Sequence, residues 1–287
     1  MRVNSMCLRC LLDRQQERVS GFPDEEKNTA YLKEVARTLA ECDPEDSAPY
    51  LVYLFQQIYR KYYGAPKDFT EIKKEYNQYV MDLEEELNQK IQSSPDPLRT
   101  SFLYSRVGNY IDFGAMHHVD KKTFLELFDD EEKNALDENV YQAFLADCAK
   151  GKNFVLLADN CGEIVLDKLF LKELKKSFPQ LGLKVIVRGA EVLNDATMED
   201  ADMVGMHEVA SVIPNGNAIA GIVEEYVTEE TIQTLDEADV ILSKGQANYE
   251  TTSGRGRSIY YSFLCKCDWF SLRFHVPKNT GMFIKEG

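Results

Sequence analysis

The stretch that most constrains this chain is Asn153 to Glu163, NFVLLADNCGE. Phe154 to Ala158 is a short apolar run of the length and character of a buried parallel strand. It stops abruptly at Asp159-Asn160-Cys161-Gly162-Glu163. From Ile164 to Phe178 the apolar residues Ile164, Leu166, Leu169, Phe170, Leu174 and Phe178 recur at helical spacing. The segment therefore reads strand, polar turn, helix. In open α/β sheets, ligands sit at the carboxyl ends of strands, and that is where Asp159 and Asn160 fall. Hard divalent cations take oxygen ligands, which both side chains offer. An Asp-Asn pair can also simply cap the helix that follows, with Gly162 easing the turn. Both readings stand at this point.

The same alternation continues to the end of the chain. Leu183 to Val187 is a second buried strand running into Arg188-Gly189 and Asn194-Asp195. Ala196 to Met206 reads as a helix, with Asn194 or Asp195 as its cap and Glu199 completing a capping box. Val209 to Ile213 is a short strand before the Pro214-Asn215-Gly216 turn. Thr228 to Glu237 is a helix. Val240 to Ser243 is a strand that ends in Lys244-Gly245-Gln246-Ala247-Asn248-Tyr249-Glu250. Ile259 to Leu264 is a strand leading to Cys265-Lys266-Cys267, and Met282 to Lys285 is a candidate edge strand. Strands alternating with helices predict a three-layer α/β domain on a mainly parallel sheet.

Upstream the periodicity is helical: Asp24 to Glu41, Ser47 to Tyr63 (Pro49 in its first turn, Gly64 at its end), a long charged helix over Phe69 to Ile91, and Leu98 to Asn109. Asp120 to Lys150 reads as a further polar helix. We expect a helical N-terminal domain over residues 1–100 and an α/β metal-binding catalytic domain over 101–287. His117 and His118, being adjacent, do not point the same way on a regular element and read as structural or exposed.

Composition sets outer limits. A formal net charge of −15 over 287 residues disfavours nonspecific binding to nucleic acid or to an anionic membrane surface. It does not disfavour an anionic small substrate, since a bound cation and a few lysines reverse the field inside one cleft. No apolar run approaches the roughly 20 residues that span a bilayer, and the N-terminus lacks the apolar core of a signal peptide. A cytoplasmic protein is expected. Seven scattered cysteines do not suggest a disulfide framework. Cys7-Leu8-Arg9-Cys10 is a CxxC, open to reading as a redox couple, half of a metal site, or two thiols on a helical segment.

Four strands thus end in polar clusters: Asp159/Asn160, Asn194/Asp195, Lys244 to Glu250, and Lys266. A parallel sheet aligns those ends on one rim. Two carboxylates and two amides suffice to hold a divalent cation with positions left open. Lys244 and Lys266 supply point charges for phosphate oxygens. The chemistry this implies is metal-assisted hydrolysis of a small phosphorylated metabolite.

Taken together these motifs resemble the metal-dependent damage-control phosphatase family, also described as carrying an acidic-residue-methyltransferase-like metal-binding domain. The motifs are Cys7-x-x-Cys10, Gly108-Asn109-x-x-Asp112, Asp159-Asn160-x-Gly162-Glu163, Arg188-Gly189 with Asn194-Asp195, Lys244-Gly245-Gln246-x-Asn248-Tyr249-Glu250 and Lys266-Cys267. Cys265 and Trp269 stand where less polar or smaller residues are expected around the Lys-Cys pair. The CxxC implies the family's stand-alone, mostly microbial branch. The resemblance implies a helical part on a Rossmann-like α/β/α domain. It implies a divalent metal (manganese, magnesium, cobalt or nickel) on Asp159, Asn160 and Asp195. Asp159, Asp195 and Lys266 are then the catalytic residues. Asn109, Asp112, Lys244, Gln246, Asn248, Tyr249 and Lys266 line the substrate, Asn109 and Asp112 closing the cleft from the helical side. The expected mechanism is a metal-activated water attacking phosphorus, with an Asp159 nucleophile ranked below it. Two other classes stay in view: a carboxyl methyltransferase using S-adenosylmethionine, disfavoured because no strand runs into a Gly-rich nucleotide turn, and a non-enzymatic metal- or redox-responsive module built on Cys7 and Cys10.

Overall fold

In the computed structural model, which describes residues 1–108, 125–128 and 136–287, six strands form one sheet in the order β3-β2-β1-β4-β5-β6. They are β1 (Asn153–Leu157), β2 (Gly182–Val187), β3 (Ser211–Pro214), β4 (Val240–Lys244), β5 (Ile259–Leu264) and β6 (Gly281–Glu286). The first five are mutually parallel, and β6 closes the edge antiparallel to β5. Period-two alternation sends successive side chains of each strand to opposite faces. Phe154, Leu156, Val185 and Leu242 join one core; Val155, Leu157, Ile186 and Ile241 join another. The sheet is therefore covered on both faces, as the continuous apolar character of its strands requires.

On the first face lie α4 (Thr70–Met81), α5 (Glu84–Ser93), α6 (Pro97–Val107), α7 (Glu138–Lys150), α8 (Glu163–Ser177) and α9 (Met198–Met203). On the second lie α10 (Glu229–Asp236), α11 (Gln246–Thr252) and α12 (Asp268–Phe274). The first three helices, α1 (Ser5–Val19), α2 (Glu25–Glu41) and α3 (Ala48–Tyr63), enclose a core of their own around Leu11, Tyr31, Val35, Leu51 and Phe55. The limit expected at residue 100 thus falls inside α6, and α4 to α6 share the core of the sheet rather than that of α1 to α3.

Several expectations are corrected in detail. The long helix over 69–91 is two helices, because Leu83 bonds back to Val80 at 3.1 Å in a tighter turn that buries Leu83 and restarts the helix at Glu84. The helix expected over 196–206 spans Met198–Met203, and its cap is neither Asn194 nor Asp195: Thr197 is the N-cap, and Asp200 accepts from its backbone N–H at 2.8 Å. The strand expected over 209–213 begins at Ser211, after a short 3-10 turn at Met206–Glu208. Of the helix expected over 120–150, Glu138–Lys150 and 125–128 are described as helical; the rest of that range lies outside the described residues, as do His117 and His118. No helix among the described residues is long and apolar enough to cross a membrane.

Candidate active site

The chain leaves β1 toward β2 and β3 on one side, and returns to place β4 on the other side of β1. The gap between the carboxyl ends of β1 and β4 is the topological switch point at which α/β sheets bind ligands. Asp159 and Asn160 follow β1 there. The loop after β2 folds over them: Ala196 N–H donates to the Asp159 carbonyl at 2.8 Å and Cys161 N–H to the Asn194 carbonyl at 2.8 Å. Asn160 and Asp195 consequently face each other as an isolated antiparallel bridge. From the β4 side, Gly245 lies against Asp159 with φ at +79°; a Cβ there would stand 2.1 Å from the Asp159 carboxyl carbon. Glycine is required on both counts.

Asp159, Asn160 and Asp195 are nearly buried, each with a small solvent-facing fraction. The Asn160 amide nitrogen donates to Asp159 Oδ2 at 2.6 Å and to Glu163 Oε2 at 3.0 Å. Its oxygen accepts from Asn194 Nδ2 at 2.7 Å. Arg188 Nε donates to Asp195 Oδ2 at 2.6 Å, and Arg188 Nη1 to Asn248 Oδ1 at 3.2 Å. Asn248 in turn donates to the Ala158 carbonyl at 3.0 Å and the Lys244 carbonyl at 2.7 Å, clipping the ends of β1 and β4 together. Beneath the cradle the Lys244 ammonium donates to Glu163 Oε1 at 2.7 Å, Asp167 Oδ1 at 2.6 Å and the Ser105 carbonyl at 2.9 Å.

Among the described residues, the buried carboxylates Asp195, Glu163 and Asp167 pair with the buried cations Arg188 and Lys244, with buried Asp159 beside them. Burial, reinforced by Glu163 and Asp195, pushes the Asp159 carboxyl up to about 7 against the pull of Lys266 and Arg188. Burial likewise raises Asp167 to about 7, although Lys244 pulls it down, and raises Asp195 against the pull of Arg188. Among the described residues Asp167 Oδ2 and Arg188 Nη2 have no hydrogen-bond partner.

The residues expected at the site divide into three groups. Asp159, Asn160 and Asp195 come together at the ends of β1 and β2. Asp159 and Asn160 do not cap α8, however. The N-cap position is Gly162, φ +70°, whose N–H is taken at 2.6 Å by Asn77 Oδ1 from α4. Lys266 is exposed after β5, and its backbone N–H is held at 3.2 Å by Gln246 Oε1, which sets the Lys266 turn on the rim. The second group is corrected. Lys244 is wholly buried on two carboxylates, and Asn248 is buried with both ends of its amide engaged, so neither side chain is left for a substrate phosphate. Tyr249 is buried edge-on against Tyr261 at 4.8 Å and Phe270 at 5.5 Å. These three build the floor and walls. The third group, Asn109 and Asp112, lies outside the described residues.

Arg188, Asp167 and Asn77 did not figure among the expected site residues. Asp167 carried a signal: it is a carboxylate four residues after Glu163, on the same face of a helix that is otherwise apolar inward. Asn77 carried none, since its partner is 85 positions away.

A divalent cation fits this donor set. Among the described residues no group of three His, Cys, Asp or Glu side chains stands ready to hold a metal ion. The cradle instead offers two carboxylates and one amide oxygen. That is the partial shell which small hard cations accept, the remaining positions going to water or substrate oxygens. Cys7 and Cys10 lie on α1, half-buried and exposed, and all seven cysteines are free thiols.

The fold and this constellation define a class: an open α/β sheet with an acid–amide cradle at its switch point. The chain belongs to the Damage-control phosphatase ARMT1-like domain family, whose profile matches residues 3–280. It is 31% identical over 275 residues to a protein of Archaeoglobus fulgidus named damage-control phosphatase, covering 93% of each chain. To a damage-control phosphatase of Pyrococcus horikoshii it is 25% identical over 293 residues, covering 98% of this chain and 96% of the relative. The crystal structure of a DUF89 family protein from Pyrococcus horikoshii superposes with a TM-score of 0.82 over 99% of both chains, at 24% identity, and shows the shared fold.

Proposed function

We propose that this protein is a metal-dependent phosphomonoester hydrolase of the house-cleaning kind, acting on small phosphorylated metabolites. The observation that carries the reading is the convergence of Asp159, Asn160 and Asp195 at the switch point between β1 and β4, with exposed Lys266 on the same rim. Family membership and the relatives' names support it.

Asp159, Asn160 and Asp195 would hold magnesium, manganese, cobalt or nickel, which when bound supplies Lewis acidity toward a phosphoryl oxygen and lowers the pKa of coordinated water. Arg188 fixes one oxygen of Asp195 and so orients that carboxylate before any ligand arrives. Lys266 extends its ammonium from the rim toward phosphoryl oxygens and toward the charge that grows on them during transfer. Gln246 holds the backbone from which Lys266 projects. Asn109 and Asp112, outside the described residues, are assigned to the substrate on the family resemblance alone.

The test is hydrolysis of p-nitrophenyl phosphate with added manganese or magnesium. Asp159→Ala and Asp195→Ala should each abolish the metal-dependent rate, and Lys266→Ala should lower it about 100-fold or more, in the range of a lost charge-stabilising donor. Full activity in either aspartate variant overturns the assignment.

A further inference from the structure

We infer that Glu163 is a positioning residue which turns the Asn160 amide so that its oxygen, not its nitrogen, faces the cation, and that Lys244 and Asp167 hold Glu163 in place to do so. The inference rests on the reading of Asp159, Asn160 and Asp195 as the metal cradle.

An amide is useful to a hard cation at one end only, and its two ends have nearly the same shape. Something must break that symmetry. Here both N–H bonds of Asn160 are spent on carboxylates, Asp159 Oδ2 at 2.6 Å and Glu163 Oε2 at 3.0 Å. The reversed amide would set its oxygen against two carboxylate oxygens and its nitrogen against the Asn194 NH2 group, which now donates to Asn160 Oδ1 at 2.7 Å. Every contact would become repulsive.

Asp159 alone does not supply this control, because Asp159 is itself claimed by the cation. Glu163 is not: its other oxygen, Oε1, accepts from Lys244 Nζ at 2.7 Å, deep below the cradle and wholly out of solvent. Lys244 is fixed in turn by Asp167 at 2.6 Å and the Ser105 carbonyl at 2.9 Å, so the ammonium is tied to α6 and α8 at once. The space around Glu163 is equally tight. A Cβ on Gly108, which begins the Gly108-Asn109-x-x-Asp112 motif, would stand 2.5 Å from the Glu163 Cγ. The fixed carboxylate and the fixed amide follow from one buried network, and partners of this kind behind metal ligands commonly set affinity.

The experiment is calorimetric titration of the metal-stripped protein with Mn²⁺, beside thermal unfolding of the metal-free form. Wild type, Asp159→Asn and Glu163→Gln are compared. Glu163→Gln keeps size and shape but loses the obligate acceptor, so its amide no longer selects one orientation of Asn160. We expect Mn²⁺ affinity to fall about 10- to 100-fold, the metal-free unfolding temperature recording separately what the lost Glu163–Lys244 pair costs. Restoring affinity by Asn160→Asp in the Glu163→Gln background is the second expected result, because a carboxylate presents oxygen whichever way it turns. A structural role alone predicts unchanged Mn²⁺ affinity in the folded variant and no rescue. If Glu163→Gln does not fold, Glu163→Asp takes its place; it keeps the charge but is too short to span from Lys244 to Asn160, and the same loss is expected. Wild-type affinity in the folded variant, with Asp159→Asn impaired, overturns this inference and leaves the cradle standing. Absence of Mn²⁺ binding by the wild type overturns the cradle and the inference with it.

Discussion

Gly245 is the residue on which the site is least tolerant. Its φ of +79° is in the region that side chains rarely adopt, and a methyl group would fall inside the Asp159 carboxyl. Gly245→Ala should therefore cost about 1–3 kcal/mol from backbone strain alone and should displace Asp159. Denaturant unfolding and Mn²⁺ titration would read the two effects, and an alanine variant with both unchanged would refute the close approach. Glu250 makes a prediction about pH. Burial pushes its carboxyl up to about 7 from the ordinary 4.5, against the pull of Gln246. The folded protein thus binds this proton more tightly than the unfolded chain does. Its stabilising contribution is complete below about pH 4.5 and is lost as pH rises through 7. Glu250→Gln should remove that loss, gaining on the order of 2–3 kcal/mol relative to wild type at pH 8 compared with pH 5. Parallel stability curves for the two proteins across that range would contradict it.

At the scale of elements, α4 decides more than its sequence suggests. Asn77 on α4 is wholly buried; its Oδ1 accepts from Gly162 N–H at 2.6 Å and its Nδ2 donates to Asp200 Oδ1 at 2.7 Å. Lys73, one turn earlier, pairs with Asp200 at 2.8 Å and with Glu191 at 2.9 Å. One helix therefore caps α8 and braces both the turn after β1 and the loop after β2, the two segments that carry the cradle. Asn77→Ala leaves a buried N–H and a buried carboxylate oxygen short of partners, and should cost roughly 2–4 kcal/mol, with slower metal-dependent turnover. Stability within about 0.5 kcal/mol of wild type would show that the cap is supplied otherwise. The packing also bears on how the chain divides. We place the limit of the independent helical unit at the end of α3, because Phe55 and Val35 lie in a core separate from that of Val80 and Phe102.

For the whole molecule, the proposed cradle of Asp159, Asn160 and Asp195 would link metal binding to stability. A cation that binds the folded chain alone stabilises it by about 2.7 kcal/mol at a hundredfold excess over its dissociation constant. For a chain of this size, that is a rise of roughly 5 °C or more in the unfolding temperature. Manganese should raise the transition of the stripped wild type, and excess chelator should reverse the rise. Asp195→Ala should show no response, and an equal rise in that variant would place the cation elsewhere. The overall charge of −15 adds a diffuse term of the same sign.

Local chemistry was enough to read the strand–turn–helix at 153–178, the alternation of strands and helices after it, and the polar ends of four strands. Alternation and apolar runs are short-range signals that burial enforces directly. It was enough also to bring Asp159, Asn160 and Asp195 to one rim, because a parallel sheet aligns successive strand ends whatever the details. What local chemistry left open was which polar residues face solvent and which are spent on one another. Lys244 reads as a phosphate ligand until β4 is placed beside β1, where its ammonium meets Glu163 and Asp167 instead. Asp159 and Asn160 read as helix caps until Asn77 arrives from α4 to do that work. Both outcomes depend on contacts between residues some 80 positions apart, and hydrogen bonds and ion pairs act only at contact. The sequence determined the rim and its polar residues; the tertiary packing decided which of those residues are already paired beneath it.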